Sequence, residues 1–124
     1  MSSIELKPDI SELYKLNDFI HDIVPNDFHT DLIVEEIFVN IVNYSNTDFI
    51  IVNVDYANQL LTLEFVDNGI EFNPLLEEEY IAPESIEESQ IGGLGIHITK
   101  QLAEDISYNY SDGKNHLKIT VKVV

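Results

Sequence analysis

The 124-residue sequence contains no cysteine and only six basic residues. Without cysteine no disulfide framework can form, and a reducing cytoplasm fits, although this absence alone excludes no compartment. No charged start with an apolar core suggests a signal peptide, and no apolar run reaches spanning length. Six basic against 23 acidic residues leave a net charge of −17. That field repels nucleic acid and anionic membrane, and it suits a basic protein partner or high solubility. Direct nucleic-acid or membrane binding is therefore not expected. Also missing are a cluster of His and acidic residues at metal-ligand spacing and a Ser/His/Asp set. What is present is a folding composition: 44% of residues are hydrophobic, in a chain long enough for one core. A single domain over residues 1–124 is expected.

The stretch from Asp31 to Ser45 is apolar almost all the way round when drawn as a helix, which predicts a buried one. Its β-branched residues, Ile33, Val34, Ile37, Val39, Ile41 and Val42, favour strand, but length and the lack of strict alternation favour helix. At ~100° per residue, Glu36, Asn40 and Asn43 fall within about 60° of one another, with Thr47 on the same line. Burying these groups unpartnered costs several kcal/mol, so the stripe must meet protein hydrogen-bonding groups, water or a ligand cavity. A seam between helix and sheet, with Glu36 in solvent, is the other reading.

Ser3 to Lys7 alternates like a short edge strand, and Pro8-Asp9 ends it, leaving Asp9 or Ser11 to cap a helix from about Ile10 to Ile23. Leu13, Leu16, Phe19, Ile20 and Ile23 give that helix an apolar face. Pro25-Asn26-Asp27 is a linker, with Thr30 or Asp31 capping the central helix. Phe49–Tyr56 and Leu60–Val66 read as a hairpin through Ala57-Asn58-Gln59. Gly69 to Gln90 is acidic and lacks apolar periodicity, with seven glutamates and no basic residue. Such a segment inside a compact domain reads as a lid, placed at about 70–91, or as disorder. Gly92-Gly-Leu-Gly95 opens a helix to about Glu104, with Leu94, Ile98 and Leu102 inward. Strands of about Asp105–Tyr110 and Leu117–Val123 flank the turn Ser111–Lys114. This order predicts an α+β two-layer sandwich, with helices on a mixed, mostly antiparallel sheet.

Two boxes accompany the central helix. Asp67-Asn-Gly69, followed by Phe72 and Pro74, ends a strand; alone it is a turn, with Gly supplying positive φ. Gly92-Gly-Leu-Gly95 is either a hinge or a phosphate cradle of bared N–H groups at a helix start. It lacks the lysine of a P-loop and follows no strand, which argues against the two familiar nucleotide folds built on such glycines.

Taken together and in order, Glu36-x-x-x-Asn40, Asp67-Asn-Gly69 and Gly92-Gly-Leu-Gly95 resemble the Bergerat-type ATP-binding domain shared by gyrase, Hsp90, histidine kinases and MutL. The likeness is greatest to the bacterial anti-sigma-factor serine kinases of the SpoIIAB and RsbW type, and it runs over nearly the whole chain with no transducer region. The resemblance implies ATP and Mg²⁺ as cofactors. At the matching positions, Asn40 holds Mg²⁺ through its side-chain oxygen, Glu36 is the general base, and Asp67 accepts a hydrogen bond from the adenine amino group. Gly69 lets the backbone approach the base. Gly92, Gly93, Leu94 and Gly95 wrap the phosphates, and Asn43 forms a second polar wall. The chain departs from the pattern in two ways. No basic residue in the lid contacts phosphate, and Tyr44 stands where histidine is common, leaving Lys100 as the nearest cation in sequence.

The resemblance further implies a cytoplasmic homodimer that sequesters a sigma factor and phosphorylates a serine or threonine on an anti-anti-sigma (STAS-type) antagonist. A non-catalytic binding module of the same fold, with a vestigial nucleotide site, is the alternative, favoured by the acidic lid. An ATPase fragment of a larger machine is a third and weaker reading.

Overall fold

The computed structural model describes residues 2–73 and 99–123. Its strands are β1 (Ser2–Leu6), β2 (Ile50–Ala57), β3 (Leu60–Asp67), β4 (Asp105–Ser111) and β5 (Lys114–Lys122). Between β1 and β2 lie a 3₁₀ turn (Ile10–Glu12) and helices α1 (Leu13–His21) and α2 (Phe28–Tyr44). Residues 99–102 are helical and lead into β4. The five strands form one sheet in the order β1-β2-β3-β5-β4, and the architecture is the expected α+β sandwich.

All four pairings are antiparallel, so the sheet is not mixed. The reason is topological. The chain leaves β3 and returns as β4, which points the same way as β3, but β5 lies between them and pairs with both. Each hairpin turns on two residues, Asn58-Gln59 and Asp112-Gly113, all four with positive φ. That conformation matches the strand twist of a two-residue loop. The second turn is thus tighter than expected, and β5 begins at Lys114 instead of Leu117.

The strands bury one face by strict alternation: Ile50, Val52 and Val54 on β2, Leu61, Leu63 and Phe65 on β3, and Leu117, Ile119 and Val121 on β5. Against this face pack Leu16 and Ile20 of α1 and Ile33, Val34, Ile37, Phe38 and Ile41 of α2. Spacing of three and four marks a helix buried along one side. α2 is therefore not buried all round. Phe28, at its start, is 75% exposed, and Glu35 and Asn43 face solvent.

α2 also starts earlier than the sequence suggests. Asp27, not Thr30 or Asp31, is its cap, and the Asp27 carboxylate accepts from the Thr30 backbone N–H at 2.9 Å. Asp9 caps the 3₁₀ turn through the Ser11 N–H at 2.9 Å. The first helix is shorter than expected because its opening turn is 3₁₀ and it ends at His21.

Candidate nucleotide site

The polar residues of the core gather where the C-terminal end of α2 meets the end of β3. Alternation places Asp67 at the last core-facing position of β3, where it is 3% exposed. Its Oδ1 accepts from Gly69 N–H at 2.9 Å, from Asn115 Nδ2 at 3.0 Å, and from the Ser45 hydroxyl. Three donors on one oxygen offset the cost of burying a carboxylate.

Gly69 serves a purpose other than positive φ. A Cβ there would stand 2.0 Å from Ser45 Oγ and 2.1 Å from Ser45 O, so only glycine lets this turn pass the end of α2. Ile70 N–H then donates to that same Ser45 carbonyl at 2.8 Å. A second tie lies alongside. Thr47 Oγ1 accepts from Asn68 N–H at 3.0 Å, and Asn68 Oδ1 accepts from Asp48 N–H at 2.9 Å. The exit of α2 and the exit of β3 are thereby laced into one unit.

Between α2 and the sheet lies a hollow of about 20 Å³, space for roughly one water. Ile37, Asn40 and Ile41 wall it from the helix, Phe65 and Asp67 from β3, and Phe72, Tyr108 and Asn115 close it. Asn40 is 6% exposed, and its Nδ2 has no hydrogen-bond partner. A buried amide nitrogen left unpaired costs about 1–3 kcal/mol, a cost that a water or a ligand group in the hollow would recover. The ring of Tyr44 lies 6.2 Å from that of Phe72, centroid to centroid.

Asn115, 4% exposed, is the hub that the sequence reading missed. Its Nδ2 donates to Asp67 Oδ1 and, at 2.8 Å, to Ile70 O. Its Oδ1 accepts from Phe72 N–H at 3.0 Å and from the Tyr108 hydroxyl. One signal was available: Asn115 lies in phase with Leu117, Ile119 and Val121, so alternation alone puts an amide on the core face.

The other expected site residues divide. Glu36 is half-buried one turn back from Asn40, about 6 Å along the axis. Burial, and then the neighbouring Glu35 charge, raise its carboxyl above the ordinary value. Asn43 is solvent-exposed, and neither it nor Glu36 lines the hollow, so of the stripe Glu36, Asn40 and Asn43 only Asn40 reaches it. Lys100 is exposed. Gly92, Gly93, Leu94 and Gly95, and most of the acidic stretch of 70–91, lie outside the described residues.

A family model for the histidine kinase-like ATPase domain matches residues 26–121, most of the chain. The chain belongs to that family. The family is one of ATP-using domains like those of histidine kinases, and the matched span contains Glu36, Asn40 and Asp67. Solved structures similar to this one include the Acinetobacter baumannii histidine kinase AdeS, at 17% identity over 99% of this chain and 68% of that one, TM-score 0.53. Another is the catalytic domain of the histidine kinase ThkA, at 12% identity over 98% of each chain, TM-score 0.54. At these identities the likeness shows the fold. A comparison with curated proteins finds none that matches. Among the described residues, no helix of this histidine kinase-like ATPase domain is long and apolar enough to cross a membrane.

The donor set fits the cofactors this family implies. A half-turn of the Asn40 amide exchanges its oxygen for the unpartnered nitrogen, which offers the hollow a hard ligand. Mg²⁺ keeps most of its waters and needs few such protein ligands. Among the described residues no group of three or more His or acidic side chains could hold a metal ion.

Proposed function

We propose that the protein is an ATP-dependent serine/threonine kinase of the anti-sigma type, which sequesters a sigma factor and phosphorylates an anti-anti-sigma antagonist. The single observation that carries the nucleotide part is the pairing of two buried polar groups across one hollow: the Asp67 carboxylate and the unpartnered Asn40 amide. A carboxylate acceptor suits the amino group of adenine and opposes the keto oxygen of guanine. Asn40 would hold Mg²⁺, which when bound neutralises phosphate charge.

Glu36 would take the proton from the attacking hydroxyl. A carboxyl raised by burial is a stronger base than a solvated one, which suits that role. The kinase class and the partners rest on the resemblance to the SpoIIAB and RsbW type. A surface with net charge −17 favours a basic partner and opposes nucleic acid or an anionic membrane. Within this reading the chain is a single cytoplasmic domain that works as a homodimer.

One observation favours a second reading, a binding module with a vestigial nucleotide site. The hollow holds about 20 Å³, against roughly 300 Å³ or more for a ligand pocket. A purine enters only if Phe72 or another closing side chain moves.

Calorimetry of the whole chain with ATP, with and without Mg²⁺, on wild type and Asp67→Asn separates the two. The kinase reading expects saturable, Mg²⁺-dependent binding that Asp67→Asn abolishes. Absence of saturable heat in wild type selects the binding module.

A further inference from the structure

We propose that Tyr108, acting through Asn115, is a positioning residue of the base subsite, which fixes its preference for an amino-bearing over a keto-bearing purine. The inference rests on the nucleotide reading above and adds a residue to it.

The side-chain amide of Asn115 has two donor hydrogens and an oxygen with two acceptor sites, and all four are used: Asp67 Oδ1 at 3.0 Å, Ile70 O at 2.8 Å, Phe72 N–H at 3.0 Å and the Tyr108 hydroxyl. A half-turn of this amide would set its oxygen against the Asp67 carboxylate. Two donors on Oδ1 prevent that half-turn, and they differ in kind. Phe72 belongs to the segment after β3, and its side chain closes a hollow with room for one water, so admitting a base displaces it or its neighbours. Tyr108 stands on β4, paired to Leu117 on β5, two residues from Asn115. That diagonal is within reach of a tyrosine, and a strand residue keeps its place when the loop shifts. Burial, and then the nearby Glu71 and Asp67 charges, raise the phenol above its ordinary value, so its hydroxyl remains a donor at neutral pH.

With the amide held, Asp67 receives N–H donors and acts only as an acceptor, which admits an amino group and rejects a keto oxygen. Once the amide is free to turn, or is absent, its nitrogen no longer pins the Asp67 carboxylate. An unpinned carboxylate does not hold its acceptor oxygen at one fixed place, and discrimination weakens.

The test is titration of the full chain with ATP and with GTP, each with Mg²⁺, for wild type, Tyr108→Phe and Asn115→Leu, with thermal melting as a check on folding. Tyr108→Phe keeps the ring and its packing, so it decides the matter alone if Asn115→Leu does not fold. The expected result is a fall of about tenfold in the ratio of ATP to GTP affinity in Tyr108→Phe, from loss of one hydrogen bond, and at least as much in Asn115→Leu. An equal loss for both nucleotides marks Tyr108 as merely structural and overturns the inference, as does an unchanged ratio. A wild type that binds neither nucleotide instead removes the nucleotide reading itself, and the inference with it.

Discussion

Asp67 and Asn115 stand directly opposite each other on β3 and β5, and the Asn115 amide donates to Asp67 Oδ1 at 3.0 Å across that pair. Sheet register therefore places the carboxylate and its principal side-chain amide in one plane of the core, 48 residues apart in sequence. Consequences follow for stability as well as for binding.

Asn40→Leu should stabilise the free protein. The substitution replaces an amide whose buried nitrogen has no partner by an apolar group of similar size, next to Ile37, Ile41 and Leu117. A gain of about 1–3 kcal/mol is expected, together with loss of Mg²⁺-dependent ATP binding. Urea unfolding of the two proteins without nucleotide measures the first effect; a less stable variant means that the amide already has a partner.

Gly69→Ala should be strongly destabilising. Its Cβ would collide with the Ser45 carbonyl, a backbone atom that cannot swing aside. Overpacking of this kind costs about 1–3 kcal/mol or more. Ser45→Gly removes only the hydroxyl clash, so the double variant should recover little. Full recovery in denaturant titrations would place the obstacle in the Ser45 side chain instead.

Thr47→Val should cost about 1–3 kcal/mol, because the Thr47 hydroxyl accepts from Asn68 N–H and donates to the same lacing between the exits of α2 and β3. The loss should appear as faster amide hydrogen exchange at residues 47–49 and 68–70. Slow exchange retained there would show that Asn68 and Asp48 hold the junction without the hydroxyl.

Glu36→Gln should change the pH profile of stability with a definite sign. The folded-state carboxyl is raised above its ordinary 4.5, so wild type gains stability from holding the proton. That gain is complete below 4.5 and is lost as pH rises through the folded value. Glutamine cannot ionise, so the variant should match or exceed wild-type stability at neutral pH. Its advantage over wild type should grow as pH rises through that window. Melting temperatures from pH 4 to 7 test this, and an advantage for wild type at pH 7 contradicts it. Within the kinase reading, the same variant keeps ATP binding and loses phosphotransfer.

Much of this was readable from residue order because the relevant signals are local. Period-2 alternation marked β2 and β3, and the 3.6-residue pattern marked α1. Asp67, which alone reads as the start of a turn, gained a role only from the resemblance that the three boxes carry in order. The misses share a cause. Asp27 capping α2 and the two-residue turn at Asp112-Gly113 are boundary choices decided by backbone geometry. Asn43 shares a stripe with Asn40 on a helical projection, yet the sheet covers only part of that stripe, and Asn43 lies beyond its edge.

Sequence by itself determined the five strands, the two helices before β2 and the polar residues each carries, since these depend on spacing along one chain. Tertiary structure alone decided that the sheet is wholly antiparallel, that Asn115 meets Asp67, and that glycine at 69 answers to the backbone of Ser45. Each of those is a contact between segments more than 20 residues apart, and no local period encodes which strand lies beside which. Strand order sets the neighbours, and the neighbours bring a buried aspartate and an asparagine with an unpaired amide nitrogen to the walls of one hollow.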